Sequence, residues 1–169
     1  MRPLAALLLA GASLCLPLPA GAESPAPVKS SPLARRGFVT DRASAERAIA
    51  FRPFLPDPSP LEVALLPPFH GDQVSANEGI GYAYGREGRT WVLSEWPRNR
   101  GTLASFAAFP GANDPHCANA HAAGGSARPR GVVWSTPRGI VLALMPDGGA
   151  DPRAIVREWH RLIHLGGCR

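Results

Sequence analysis

Lysine is nearly absent from this chain, and the arginines form no block. Of 169 residues, 18 are Lys or Arg, and Lys29 is the single lysine. Because no run of five or six cations occurs, the sequence lacks the basic arm that indicates nucleic-acid binding. We therefore predict no nucleic-acid partner.

Long apolar runs are missing as well. The run Leu4–Leu16 is shorter than the roughly 20 residues that a membrane-spanning helix needs. It follows Arg2 and precedes Ala20–Ala22, whose small-x-small pattern is typical of signal-peptide cleavage. We predict a signal peptide at residues 1–22, no transmembrane span in the mature chain, and a periplasmic or secreted protein.

A lipoprotein signal is the alternative to cleavage after Ala22. Cys15 would be the acylated residue, but Leu14 before it is larger than the small side chain that such signals carry. After cleavage, 169 − 22 = 147 residues remain, with 18 − 1 = 17 cations against 13 anions and a net charge of +4. That length is enough for one domain with a substantial core.

Cysteine is scarce, and only Cys117 and Cys168 follow the predicted signal. In an exported protein an even pair indicates a disulfide first. We predict that these two cysteines bond to each other, which stabilises the domain by roughly 4 kcal/mol on the chain-entropy model. The competing interpretation is a Cys117 thiolate nucleophile held by the adjacent His116.

Catalytic motifs are also missing. No serine lies in a nucleophile elbow, and no glycine-rich loop precedes a helix as phosphate binding requires. An acid and a base could come from Glu78, Glu87, Glu95 and Asp147, but some pair is inevitable among 13 acids in any fold. The sequence favours a non-enzymatic protein without a cofactor.

Residue types that bind metals are concentrated in the segment that contains Asp114, His116, Cys117 and His121. In addition, His160 and His164 are four apart on a predicted helix, which brings two imidazoles to one face. Arginines on that helix face would repel a dication. We predict no metal site, and we keep His116, Cys117 and His121 as the alternative for a ligand-binding, metal-binding or hydrolytic protein.

The periodicity predicts an α+β domain at residues 40–169, preceded by a proline-rich disordered arm at residues 23–39. Thr40 or Asp41 can cap a short N-terminal helix that must end before Pro53. A proline-rich stretch follows this helix. We expect its apolar residues to lie against the core, namely Phe51, Phe54 and Leu55.

Apolar runs separated by turn residues predict an antiparallel sheet of four to six strands. The runs are Leu61–Leu66, Ile80–Tyr84, Thr90–Trp96, Val132–Thr136 and Ile140–Met145. The last is apolar throughout, so we expect a central strand covered on both faces. In the second run Gly81 and Ala83 form a small face, where we expect a helix or the proline-rich stretch to approach closely.

The C-terminal segment predicts a capped amphipathic helix that packs on the sheet. Asp151 caps it, Pro152 takes the first position, and Gly166-Gly167 ends it. The face away from its apolar stripe carries Arg153, Arg157, His160, Arg161 and His164. We predict contact with an acidic protein surface or an anionic envelope polymer; the alternative is a solvated face.

Aromatic residues alternate with arginines in the first hairpin. The aromatic residues are Tyr82, Tyr84, Trp91 and Trp96. Such side chains could form a platform that stacks on glycan rings, but aromatic residues on strands are more often part of a core.

Five features follow one another in order: a short helix leading to Phe51 and Phe54–Pro56, the strand Leu61–Leu66, a tyrosine strand ending at Gly85, a hairpin from Val133-Trp134 to Met145, and a capped final helix. This order resembles, over about residues 44–165, a bacterial domain of unknown function. That domain is found in the extracytoplasmic part of some anti-sigma factors and in stand-alone exported proteins or lipoproteins. The resemblance implies a non-enzymatic sensing or interaction role and no functional residues. It fails between Asn99 and Gly131.

Overall fold

The computed structural model describes residues 31–57, 59–68, 77–98, 103, 107–112, 114, 120–123 and 129–168. Within them the elements are β1 Phe38–Thr40, α1 Arg42–Ala48, β2 Glu62–Leu66, β3 Gly79–Arg86, β4 Arg89–Pro97, β5 His121–Ala123, β6 Gly131–Ser135, β7 Ile140–Pro146 and α2 Pro152–Leu162. A π-helical turn, Ile163–Gly167, extends α2. Within these ranges no helix is long and apolar enough to cross a membrane.

The α+β class and the antiparallel sheet are confirmed, but the predicted number of strands is too low. The strands lie in the order β1-β2-β3-β4-β7-β6-β5, and every neighbouring pair is antiparallel. The additional strands are β1, whose first two residues fall in the predicted arm, and β5, within the long segment where the resemblance fails. Each has three residues, too few for a periodic pattern to be read from the sequence.

A tight turn joins β3 to β4. Glu87 and Gly88 occupy it with φ values of 50° and 71°. Two positive φ angles define the hairpin turn whose twist matches that of the flanking strands. The connection between β3 and β4 therefore has two residues.

The two faces of the sheet bury different side chains. One, the helix face, carries Tyr84, Leu93, Leu142 and Leu144, and α2 packs on it with Ile155, Trp159 and Leu162 to form the main core. The other, the opposite face, carries Val133, Val141 and Ala143 beneath Leu103. The predicted apolar stripe of α2 and the central strand β7, covered on both faces, are thus confirmed.

The expected approach of a helix to the small face of β3 is wrong. Ala45 of α1 and the proline-rich residues Phe51 and Leu55 pack instead on the helix face, against Ile80 and Tyr82. Ile80 and Tyr82 offer more apolar area to bury than Gly81 and Ala83 do. This gain outweighs the closer approach that the small residues would permit.

Leu33 occupies the small face instead. It is fully buried among Ala64, Leu66, Ala83 and Val92. A Cβ added to Gly81 would lie 3.0 Å from Leu33 Cδ2, so the glycine admits this side chain. Ser31 Oγ also donates to Glu62 Oε2 at 2.6 Å. Packed structure therefore begins no later than Ser31, although the arm is predicted to extend to residue 39.

Both helices begin as their capping residues predict. Asp41 Oδ1 accepts from Ser44 N at 2.9 Å, and Asp151 Oδ1 accepts from Ala154 N at 3.0 Å. Gly166, with φ 108°, ends the helical conformation of the C-terminal segment. Trp134 Nε1 then donates to Gly167 O at 2.8 Å, which ties this end of the chain to β6.

Candidate functional site

The predicted cationic face of α2 is only partly exposed. Arg153, Arg157 and His164 are exposed, whereas His160 and Arg161 are half-buried. Arg161 turns towards the sheet, because a buried carboxylate lies one helical turn before it. The expectation of five outward-facing cations is therefore wrong for this residue.

Glu158 is that carboxylate, and its side chain is 5% exposed. It accepts hydrogen bonds from Tyr84 Oη at 2.8 Å and from Arg161 Nε at 3.0 Å, and Arg161 Nη2 makes a further contact. Arg86 Nε lies 3.2 Å from the second carboxylate oxygen, Oε2. Two arginines and a tyrosine therefore share one buried acid.

Local structure accounts for this convergence. Tyr84 and Arg86 alternate along β3, so both reach the helix face. Glu158 and Arg161 are three apart on α2, which makes them neighbours on one side of the helix. The guanidinium of Arg161 also lies 5.7 Å from the centre of the Tyr84 ring, a favourable cation–π distance.

The cluster carries excess positive charge. The hydrogen bond to Glu158 raises the pKa of Arg161, so this guanidinium stays charged. Burial, with the nearby charge of Glu158, raises the pKa of Tyr84, which stays a neutral donor. Arg86, Arg157 and Arg161 together face two acids, Glu158 and Glu87. The sum is 3 − 2 = +1; one turn earlier on α2 the exposed Arg153 adds a positive charge, which Asp151 near Arg157 offsets.

We refer to Arg86, Arg153, Arg157 and Arg161 as the arginine surface. The depression among Arg86, Arg157 and Arg161 has a volume of about 40 Å³, which holds little more than a water molecule. A small organic ligand therefore has no room there. The arrangement is suited to contact with an extended anionic surface.

The aromatic residues of the first hairpin belong mainly to the core. Tyr82, Tyr84 and Trp91 are at most 3% exposed, so the platform interpretation is wrong for these three. Trp96 is half-buried, and its Nε1 donates to Pro67 O at 3.3 Å.

Glu95, one of the four acids considered above as an acid or a base, is a second buried carboxyl group. It lies on the helix face of β4 with no exposed surface, and Oε2 accepts from Phe54 N at 2.8 Å. Its Oε1 and the hydroxyl of Tyr82 have no hydrogen-bond partner among the described residues. Burial raises the pKa of Glu95 to about 8. The carboxyl group of Glu95 is thus mostly protonated near neutral pH and lies in the core.

The predicted cysteine and metal groupings fall largely outside the described residues. Cys117 and His116 are not among the described residues, so the Cys117–Cys168 disulfide and the metal alternative stay predictions. Of the others, His121 begins β5, and Cys168 packs on the main core. Among the residues with described positions, no three His, Cys, Asp or Glu side chains could hold a metal ion together.

Comparisons of the chain with protein-family models, with curated proteins and with solved structures find no match. Function is therefore inferred from the sequence and from the arginine surface.

Proposed function

We propose that this chain is an exported, non-catalytic interaction or sensing domain of the bacterial cell envelope. In this proposal the arginine surface contacts an acidic protein surface or an anionic envelope polymer. The predicted signal peptide supports the periplasmic or secreted location. The resemblance to extracytoplasmic domains of anti-sigma factors supports a sensing or interaction role.

The proposal rests on a single observation. Glu158 holds two arginines in place, and the cluster around it keeps a net positive charge. A long cationic side chain normally loses rotamer freedom when it binds a partner. Arg86 and Arg161 are already held by Glu158, at 3.2 Å and 3.0 Å, so they lose less. Arg153 and Arg157 remain exposed beside them and can reach an acidic surface.

The test measures binding to two probes, poly-L-glutamate as a polycarboxylate and polyphosphate as a phosphate polymer. We expect affinity to weaken steeply between low and physiological salt, because exposed charges are screened. The decisive variant is Arg153→Glu, Arg157→Glu, which leaves the Glu158 pairs intact. We expect it to weaken binding at least about tenfold, or about 1.4 kcal/mol.

The matched control is Arg47→Glu, Arg138→Glu. Both of these residues are exposed and lie outside the arginine surface, and the pair changes net charge by the same amount. It should keep most of the affinity. An equal loss in both double variants would show that net charge alone drives binding, and the proposed surface would be rejected.

Export is tested separately. Mass spectrometry of the protein from the extracytoplasmic fraction should give Glu23 as the first residue. An acylated Cys15 would change the protein to a membrane-anchored lipoprotein, and a cytoplasmic chain that keeps residues 1–22 would overturn the envelope proposal.

A further inference from the structure

A cavity of about 520 Å³ lies between the turn that contains Arg36, the start of β6 and the end of β7. Its volume falls within the range of about 300–1,000 Å³ that is usual for small-molecule sites. It is lined by Arg36, Arg130, Met145, Pro146 and Ala150, among others. None of its lining residues belongs to the arginine surface.

Arg36 is a half-buried cation without a close counter-ion. Its Nη1 lies 3.9 Å from Met145 Sδ, and no described carboxylate is within ion-pair distance of it. Burial lowers the pKa of Arg36, while the more distant Asp147 acts in the opposite direction. The site has therefore partly desolvated a guanidinium that it does not pair with an acid, and desolvating a charge is unfavourable unless a partner is bound.

Arg130 supplies a second guanidinium at the rim. Its backbone N donates to Ala123 O at 2.8 Å, which fixes the chain next to β6. Even with Asp147 counted, the two lining arginines leave the cavity with a net positive charge. A guanidinium presents two parallel N–H groups that match a carboxylate or a phosphate.

We propose that this cavity binds a small organic oxyanion. Its carboxylate or phosphate is held by Arg36 and Arg130, and its apolar part lies against Met145, Pro146 and Ala150. The opposite face of β7 carries Met145, whereas α2 covers the helix face. A ligand here would thus give the domain a small-molecule site separate from the macromolecular contact proposed above.

The test is calorimetric titration of the purified full-length protein with benzoate, phenyl phosphate and the neutral analogue benzamide. We expect at least one of the two anions to bind with a Kd below about 10 mM and benzamide to bind at least tenfold more weakly. A preference between the two anions identifies carboxylate or phosphate as the natural group.

Variants locate the binding site. Arg36→Gln should weaken the bound anion at least about tenfold, and Arg130→Gln by a smaller factor. Ala150→Phe should block it by filling the cavity, which keeps the test decisive if Arg36→Gln does not fold. Arg138→Gln, at an exposed position in the turn between β6 and β7 and outside both the cavity and the arginine surface, is the control and should bind as the parent does. The proposal is overturned if neither anion binds, if benzamide binds equally well, or if the cavity variants bind as tightly as the control.

Discussion

The backbone N–H of Phe54 donates a 2.8 Å hydrogen bond to Oε2 of Glu95, so a buried carboxyl group ties the proline-rich stretch to the sheet. The Phe54 ring packs on the main core beside this bond. Prolines leave this stretch few N–H donors. A side-chain acceptor on β4 therefore satisfies a donor that regular structure would otherwise pair.

Glu95 should make the stability of the protein depend on pH. Burial raises its pKa to about 8 in the folded chain, from an ordinary value of 4.5. Between these values the folded state holds a proton that the unfolded state has released. In this range the free energy of unfolding should therefore fall as pH rises, by about 1.4 kcal/mol per pH unit. The stability that protonated Glu95 provides is lost above pH 8, where both states have released the proton.

The check is urea denaturation of the parent and of Glu95→Gln between pH 5 and pH 9. The variant should show a flatter profile and gain stability relative to the parent as pH rises. Burial and the charge of Glu95 raise the pKa of Tyr82, which stays neutral in this window. Glu78→Gln, at an exposed site, is the control. Parallel pH profiles for the parent and Glu95→Gln would contradict the prediction.

Glu158→Gln should destabilise the protein, because it leaves Arg86 and Arg161 without their shared counter-charge. Since these arginines keep 44% and 22% side-chain exposure, we expect a loss of about 2 kcal/mol, less than the roughly 3–5 kcal/mol of a fully buried pair. Chemical denaturation at pH 7 measures it.

The matched control is Glu46→Gln, which removes an exposed pair with Arg42 on α1. Such a pair contributes only about 0.3–0.5 kcal/mol. Equal losses in the two variants would mean that the buried cluster contributes no more than a surface ion pair.

The sequence predicts those elements whose signals are local. Asp151, Pro152 and Gly166 define the ends of the C-terminal helical segment, and an unbroken apolar run identifies the central strand β7. The short strands β1 and β5 could not be predicted in this way. Each has only three residues and forms by pairing with the next strand in the chain, β2 or β6, which no pattern within three residues reveals.

The candidate site was less accessible to sequence analysis. Arg157 and Arg161 look equivalent on a helical projection. The spacing of three residues makes Arg161 a neighbour of Glu158, but only the position of β3 decides that this pair meets Tyr84 and Arg86. Two signals were available for the buried acids. Glu95 alternates with the buried Trp91 and Leu93 along β4, and Glu158 is four residues from the buried Leu162. Both patterns place a carboxyl group on an inward face.

Leu33 should be part of the folded domain rather than of a free arm. It is fully buried on the opposite face, so Leu33→Ala should cost about 2–4 kcal/mol in the free energy of unfolding. Leu61→Ala, where the side chain is 65% exposed, should cost about 0.5 kcal/mol or less. Denaturation of both variants measures the difference. A loss at Leu33 no larger than at Leu61 would show that the turn around Leu33 does not stabilise the domain.

The last prediction is the disulfide between Cys117 and Cys168. Cys168 packs on the main core, to which the buried Ala120, three residues after Cys117, also belongs. Its preceding residue, Gly167, is held by Trp134 on β6, the strand that pairs with β5. The described parts of the chain on either side of the predicted bond thus approach the same core.

Peptide mapping without reductant should recover Cys117 and Cys168 in one linked peptide pair. Reduction should lower the free energy of unfolding by about 4 kcal/mol, because it releases a loop of about fifty residues in the unfolded chain. The double variant Cys117→Ser, Cys168→Ser should reproduce this loss and should not change on reduction. Two free thiols in the native protein would contradict the pairing and would favour the thiolate interpretation of Cys117.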